Sequence, residues 1–437
     1  MKLKHNKTAE TKANFIPRNL SRFSREGLGV FLLFLPFFAQ AITVESCQEA
    51  ARTNYPLIKQ YGLIEQTANY NVSNANKGYL PQLTLSAKGT LQSDAISITV
   101  AGNKMTQDKD QYQAVLEASQ VIWDGGVIKA QKQINSAGSE IEKQKLEVDL
   151  FALNERVNQL YFGILLLNEQ VKQNDILQNE LLVNYNRVEA YKQNGVANQS
   201  DVDAIKVEQL NAIQRETELK STSKSYYIML STLTRLEIND KTELTKPVLN
   251  LTLMNDTTNH RPELGLFEAQ NKLYESQKSL LNAGNLPKIG LFAQAGVGKP
   301  GLNMLSNALS DFYIGGVRLS WNLSGFYTQK NNVNKLEINK KTVGIQKETF
   351  LFNTYLKTKQ QQTEIEKLQA VITNDDEIIR LRENIKKSAT AKVENGTLTV
   401  SDLIREINSE NQARQVKSLH EIQLIMSVYQ LKNNINQ

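Results

Sequence analysis

One short pattern occurs twice in this chain and limits the folds open to it. The first copy runs Gly195-Val196-Ala197-Asn198-Gln199-Ser200-Asp201-Val202 and reaches Ala212. The second runs Gly396-Thr397-Leu398-Thr399-Val400-Ser401-Asp402-Leu403 and reaches Ala413. Glycine, serine, aspartate, an apolar residue and alanine recur at the same offset, and each copy joins two long apolar-periodic segments. Glycine fits the left-handed position that ends a helix. The serine five residues on is a favoured N-cap for the next helix. Each copy therefore predicts the tip of a long antiparallel helical hairpin. Either copy alone reads equally as an ordinary helix turn, but the matched pair predicts repeated architecture.

The flanking sequence extends the repeat. Tyr55-Pro56-Leu57 is answered by Arg261-Pro262-Glu263-Leu264, and Leu80-Pro81-Gln82-Leu83-Thr84-Leu85 by Leu286-Pro287-Lys288-Ile289-Gly290-Leu291. After each Leu-Pro pair the period drops to two, the sign of a strand. Leu83, Leu85, Ala87 and Leu91 share one face, and Gln82, Thr84, Ser86 and Lys88 the other. Residues 101–110 read as polar loop. A second strand follows, with Tyr112, Ala114, Leu116 and Ala118 opposing Gln113, Glu117 and Ser119. In the second half, Ile289, Leu291, Ala293 and Ala295 oppose Gly290, Phe292 and Gln294. Tyr313, Val317 and Leu319 oppose Ile314 and Arg318. The only two tryptophans, Trp123 and Trp321, end the matching strands.

Between strands and tips the period is helical. Leu146, Leu150, Leu153, Val157, Leu160, Ile164, Leu167 and Val171 alternate spacings of four and three, a heptad seam that weakens at Asn174 and Gln178. One helix from about residue 129 to 193 would be ~95 Å long. Its return partner carries Val202, Ile205, Leu210, Ile213, Tyr227, Leu230 and Leu233 as its apolar positions, expected on the seam. Residues 237–258 read as an irregular connection. The second long helix is expected from about 329 to 392, with a return helix to about 433. The chain thus divides into a first repeat over 42–258, with a β-hairpin at 80–124 and a tip near 195–201. A second repeat over 259–437 has its hairpin at 286–324 and its tip near 396–402.

The first 41 residues read as an export signal. Seven basic side chains precede an apolar run from Leu28 to Phe38, and Ala39-Gln40-Ala41 offers a small-x-small cleavage site. The run is short for a spanning helix. The whole chain has 51 basic and 45 acidic side chains. Removing the segment's seven basic and two acidic residues (Glu10, Glu26) leaves 44 against 43, a net +1. The basic character therefore belongs largely to the leader and gives no footprint for nucleic acid. Cys47, the single cysteine, excludes an intrachain disulfide and reads as a small apolar residue of the first helix. Three histidines, His5, His260 and His420, assemble no zinc-type cluster. No nucleophile–base pair or phosphate loop stands out, so neither an enzyme nor a cofactor is expected.

The helices have their own seams to bury, so no segment is left to cover the apolar faces of the strands. An exported chain without an apolar spanning helix can cross a membrane only as a closed barrel. Strands of about ten alternating residues suit one, yet four cannot close, because the smallest barrels use about eight. Several chains must share it. Gln113, Glu117, Gln294 and Arg318 are then expected in the lumen. Tyr79, Tyr112, Trp123, Tyr313 and Trp321 would form an interfacial girdle.

Taken in order, Thr43-Val44-Glu45, Tyr55-Pro56, the paired Leu-Pro strand starts, Trp123-Asp124-Gly125-Gly126, Arg261-Pro262-Glu263-Leu264 and the two Gly-x4-Ser-Asp tips resemble the TolC-like outer-membrane efflux channels. The resemblance covers essentially the whole chain after the leader. It implies a mainly α fold with a transmembrane β-barrel, duplicated halves, and a homotrimer whose four strands per chain make a shared barrel in outer-membrane lipid. A long coiled-coil tunnel would cross the periplasm to a periplasmic adaptor protein and an inner-membrane pump, in efflux or in type I secretion. The tips, with Gly195, Ser200, Asp201, Gly396, Ser401 and Asp402, would form the periplasmic entrance. Val393 and Leu398 stand where some members carry tyrosine and arginine links, and cannot form them. The competing reading is an exported coiled-coil scaffold or adaptor without a pore. It explains the heptads and leaves the strands unexplained.

Overall fold

The computed structural model describes residues 42–249 and 259–436. The segment read as an export signal, with Ala39 and Ala41, and the last part of the 237–258 connection lie outside the described residues. Within them the order is α1 (Val44–Asn54), α2 (Gln60–Asn76), β1 (Gln82–Leu91), β2 (Ser97–Val100), β3 (Asn103–Thr106), β4 (Asp110–Trp123), α3 (Val127–Phe151), α4 (Leu153–Gln193) and α5 (Gln199–Thr234). The second half holds α6 (Pro262–Gly284), β5 (Lys288–Lys299), β6 (Ser310–Ser320), α7 (Gly325–Glu394) and α8 (Val400–Ile435). Among the described residues no helix is long and apolar enough to cross a membrane.

Local chemistry sets the joints. Thr43 caps α1 through a reciprocal pair with Ser46. Pro262 opens α6 at a position where its missing N–H costs nothing. Pro56 opens a single 3₁₀ turn over Pro56–Lys59, and α2 starts after it at Gln60. At the strand-to-helix joint, the buried Asp124 carboxylate accepts from the Gly126 amide at 2.9 Å and the Ile128 amide at 2.6 Å. Gly125 and Gly126 both have positive φ there, 71° and 91°. In the second half Asn322 takes the same part, accepting from the Ser324 amide at 3.1 Å.

The sheet order is β1-β4-β5-β6, antiparallel throughout. Its register aligns the apolar sets across all four strands: Leu85 opposes Leu116, Leu116 opposes Ala295, and Ala295 opposes Tyr313. That face is exposed, with Leu85 at 76% and Leu319 at 68%. The segment expected as loop at 101–110 holds β3 instead, paired with β2 in a small separate hairpin. Ala101 and Gly102 turn it with φ of 48° and 87°, the positive values that two-residue hairpins favour. The described residues therefore hold six strands rather than four, four of them in the main sheet.

Two helical layers follow. Near the sheet the neighbours run α2, α3, α6, α7; towards the tips they run α5, α4, α8, α7. The first long helix, expected to be unbroken, divides at Ala152, where the Ala152 amide bonds both Val148 and Leu150 carbonyls. The break falls where the helix changes partners. Leu150, Phe151 and Leu153 are all buried around it, more consecutive apolar positions than one helix face can hold. The second long helix, α7, is continuous over 70 residues, ~105 Å.

Seam polarity is used. Asn174, 1% exposed, donates to the Ala212 carbonyl at 2.9 Å, and Gln178 donates to Glu216 at 2.8 Å. One buried polar position in an apolar seam fixes its register. On the return helix the expected seam is only partly right. Val202 and Ile205 are buried, but Gln209 and Ala212 hold the next seam positions, while Leu210 and Ile213 are exposed on the far face. Midway along, α1 joins α4, α5 and α8 in one core of Val44, Cys47, Phe162, Leu230, Ile425 and Tyr429. The irregular connection is tied on by an Ile42–Leu244 bridge. Tyr161 is buried there, its hydroxyl 2.7 Å from both the Ile42 and Thr245 carbonyl oxygens. Burial lifts the Cys47 thiol pKa to about 11, which keeps it inert.

A methyl group at Gly125 would sit 2.7 Å from Leu286 Cβ and 2.8 Å from the Ala283 carbonyl, whereas one at Gly126 meets nothing within 4 Å. Both positions carry the left-handed penalty of about 1–2 kcal/mol. Gly125→Ala is therefore expected to lower the thermal midpoint of the purified protein clearly more than Gly126→Ala, followed by circular dichroism. Equal losses would show that the close approach to Leu286 has no weight.

Candidate functional site

Both tips are built alike. Gly195 and Gly396 take φ of 74° and 66°. At the first, the Val196 amide bonds the Tyr191 carbonyl at 2.8 Å and the Gly195 amide bonds Lys192 at 3.0 Å. At the second, Thr397 bonds Lys392 at 2.9 Å and Gly396 bonds Val393 at 3.0 Å. This nested pair satisfies the last carbonyls of a helix and needs a left-handed residue at the glycine position.

The caps differ from the expectation. Ser200 and Ser401 lie inside the helices, exposed, and Asn198 and Thr399 are the N-caps. A cap must keep extended backbone one residue before the first turn, and these two do. Asp201 and Asp402 stand three residues on. The Asp201 amide donates to Asn198 Oδ1 at 3.1 Å and its carboxylate accepts from the Asn198 amide at 3.1 Å, a full capping box. The Asp402 amide donates to Thr399 Oγ1 at 3.1 Å, and the Thr399 hydroxyl donates back to the Asp402 carboxylate at 2.7 Å. The acids are thus parts of the caps. Asp402 also pairs with Arg405 one turn on; the Thr399 hydroxyl and that arginine hold its carboxyl below the usual carboxylate range.

The two tips share one core. Val188, Val202, Ile205, Val393, Val400 and Leu403 pack together, with Leu398 at its margin. Val393 and Leu398 therefore serve packing between hairpins. Behind them lies a charge network that no local motif announces. Lys386 of α7 meets Glu180 of α4 at 2.7 Å and pairs with Glu410 of α8. Arg414 pairs with Glu410 at 2.8 Å and with Glu383. Burial alone would raise the Glu410 carboxyl; Lys386 and Arg414 outweigh it and hold it below its usual value. Burial likewise opposes charge on Lys386, but the Glu180 and Glu410 carboxylates raise its pKa.

The second region is the polar face of the sheet. Glu117 accepts from Gln294 at 2.6 Å and from Arg318 at 3.0 Å, and the Arg318 guanidinium lies 4.6 Å from the centre of the Phe292 ring. Three expected lumen residues thus form one cluster. Gln113 stands four positions along β4, ~13 Å away, opposite Lys88 and Gly298. The aromatics of this face were not anticipated as pairs. Phe292 lies against its cross-strand partner Gly316, and Phe312 against Gly296, filling space where a side chain is missing. Five aromatics expected at strand ends, Tyr79, Tyr112, Trp123, Tyr313 and Trp321, are all exposed.

Three comparisons bear on this geometry. The family model described as "Outer membrane efflux protein" matches residues 48–234. No curated protein sequence matches the chain. Among solved structures, the CmeC outer membrane channel of Campylobacter jejuni aligns at 14% identity and TM-score 0.62, over 90% of this chain and 85% of its own. VceC of Vibrio cholerae aligns at 15% and 0.63, over 89% and 94%. The MtrE outer membrane channel of Neisseria gonorrhoeae aligns at 13% and 0.62, over 90% and 88%. At these identities the likeness carries the fold.

The charge network makes a pH prediction. A Glu410 carboxyl held low contributes stability that is present above its unfolded value, about 4.3. That stability is lost as pH falls through the lower folded value. Lys386, held high, keeps its contribution below about 10.4 and loses it only as pH rises through its raised folded value. Protection of amides in the tip halves of α7 and α8, measured against the intrinsic exchange rate at each pH, should therefore be high at neutral pH and fall below about pH 4. Lys386→Met should cost on the order of 3 kcal/mol, the lower end for a broken buried pair because Arg414 remains on Glu410. Protection unchanged by both acid and the substitution would show the network to be inert.

Proposed function

We propose that this chain, whose residues 48–234 match the outer membrane efflux protein family model, is the outer-membrane channel of a tripartite efflux system. The observation that carries the proposal is the four-stranded sheet. Its apolar face is uncovered, and β1 and β6 have no outer partner. Backbone edges cannot stay unpaired in lipid. The apolar face suits acyl chains, and Trp123, Trp321, Tyr112 and Tyr313 suit its two boundaries. Closure must come from further copies. Three copies supply twelve strands and make a homotrimer, a barrel wide enough for an aqueous lumen lined by Gln113, Glu117, Gln294 and Arg318.

The helical layers have matching open edges. Towards the tips the outer helices are α5 and α7. Each exposes an apolar stripe, Val207, Leu210 and Ile213 on one and Ile378, Leu381 and Ile385 on the other. Both stripes lie roughly 12–24 Å from the tips at 1.5 Å per residue. One edge of a copy can thus meet the opposite edge of the next, the head-to-tail contact that closes rings. In this reading the duplicated halves, 42–258 and 259–437, alternate around a coiled-coil tunnel through the periplasm. The tips meet a periplasmic adaptor and, through it, an inner-membrane pump. The protein acts as a passage rather than a catalyst. Export profiles of a deletion strain, for drugs, dyes and secreted proteins, identify the cargo.

Two sets of variants test the assignment of faces and entrance. A charge on a lipid face near the midplane costs roughly 2–4 kcal/mol. Leu319→Arg should impair assembly, while Arg318→Gln should assemble normally and change ion selectivity only. Equal tolerance would mean that the faces are misassigned. At the tips, three copies bring six aspartates, Asp201 and Asp402 of each, around one opening. Asparagine keeps the cap acceptors and removes the charge. Asp201→Asn with Asp402→Asn should therefore leave assembly intact, lower cation preference in single-channel recordings, and weaken block by multivalent cations from the periplasmic side. Unchanged selectivity and block would leave capping as the whole role of these acids.

A further inference from the structure

The two loops at the outer end of the sheet are joined into one body. Gln107, buried at the foot of the β2–β3 hairpin, donates its amide to the Met304 carbonyl of the β5–β6 loop. The Asp108 amide donates to Asn307 Oδ1 at 3.1 Å, and Asn307 Nδ2 donates back to the Thr106 carbonyl at 2.9 Å. Lys299 pairs with Asp108 at 2.9 Å and Asp110 at 3.2 Å. A two-stranded hairpin has little stability of its own, and these contacts supply what it lacks.

These hydrogen bonds run between the two loops, and part of the surface they leave is apolar. Ile98 and Met105 oppose each other on one face of the hairpin, while Ser97, Thr99, Lys104 and Thr106 share the other. Ile96, Ile98 and Met105 are exposed, as are Leu302 (57%), Met304 (66%) and Leu305 on the second loop. All lie beyond Tyr112 and Tyr313, past the aromatic row, where the channel reading has water rather than acyl chains. A contiguous apolar patch in water marks a contact surface.

We infer that these loops form an apolar collar that closes against the same loops of neighbouring copies and narrows the outer mouth of the channel. The inference rests on the channel reading, and strand order identifies the occupant. If β6 of one copy pairs with β1 of the next, the β5–β6 loop of the first stands beside the β1–β4 loop of its neighbour. Both carry exposed apolar side chains, and Lys299 is already engaged by Asp108 and Asp110 within one copy. A ring of apolar side chains at a constriction resists wetting, so the collar holds the outer mouth shut to ions until the loops part.

The test uses the full chain. In a Cys47→Ser background, Ile98→Cys with Leu302→Cys is oxidised in outer membranes and run on a non-reducing gel after heating. Covalent dimers and trimers are expected; monomer bands alone, free or internally crosslinked, would overturn the proposal. In planar bilayers, Ile98→Ser with Met304→Ser and Leu305→Ser should raise single-channel conductance severalfold and shorten closures. Unchanged conductance from particles of normal size would overturn it as well. A wild-type protein that is monomeric in mild detergent and forms no pore would instead reject the channel reading, and the collar with it. A wild-type pore combined with either negative result rejects the collar alone.

Discussion

The structure depends on two rows of backbone groups with nowhere to bond. The sheet ends at β1 on one side and β6 on the other, ten and eleven residues long, and neither edge is covered by another element. In water such edges invite uncontrolled pairing and are usually shortened, charged or covered. In lipid they cannot persist at all. Here the outer face carries leucine, valine, alanine and tyrosine across four strands in register. Towards the tips, the outer helices α5 and α7 also expose apolar stripes. In the channel reading proposed above, the chain is a segment of a wall that other copies complete.

The wall sets the demands on the helices. A strand pair can hand over to a helix only through a tight joint. In the first half Asp124 and two left-handed glycines make it; in the second Asn322 and Ser324 make it without positive φ. Long seams then carry the wall away from the sheet. Where the seam is all apolar its register could slide, and Asn174 and Gln178 fix it by bonding across to α5. At the far end the hairpins are fastened together by a shared core and by the charges around Lys386. The two halves reach the same outline with different details, which suits a ring in which each half meets unlike neighbours.

Much of this was legible in the sequence because it depends on period and on glycine. The strand faces followed from alternation, and the paired register kept them intact, since a slip of one residue would have turned every side chain over. The tips followed from Gly195 and Gly396. The caps did not, because the sequence offers Asn198 and Ser200, or Thr399 and Ser401, within three residues. Only backbone geometry decides which one stays extended. The β2–β3 hairpin was missed because Lys104, Thr106 and Asp108 read as loop, while its pairing rests on the Ala101-Gly102 turn. Leu210 and Ile213 were assigned to the seam although Gln209 and Ala212 hold it. An exposed apolar residue has the same signature in the sequence as one that faces the core. The Glu117–Gln294–Arg318 cluster joins residues far apart in the chain, and only register brings them together.

The central claim is that one copy is an incomplete wall closed by two others. The most direct measurement is the mass of the mature protein extracted from outer membranes in mild detergent, by native mass spectrometry or light scattering with the detergent contribution removed. The account predicts a single species of three chains that falls to one chain only when the sheet unfolds on heating. A folded, stable monomer with the same strand content would contradict it.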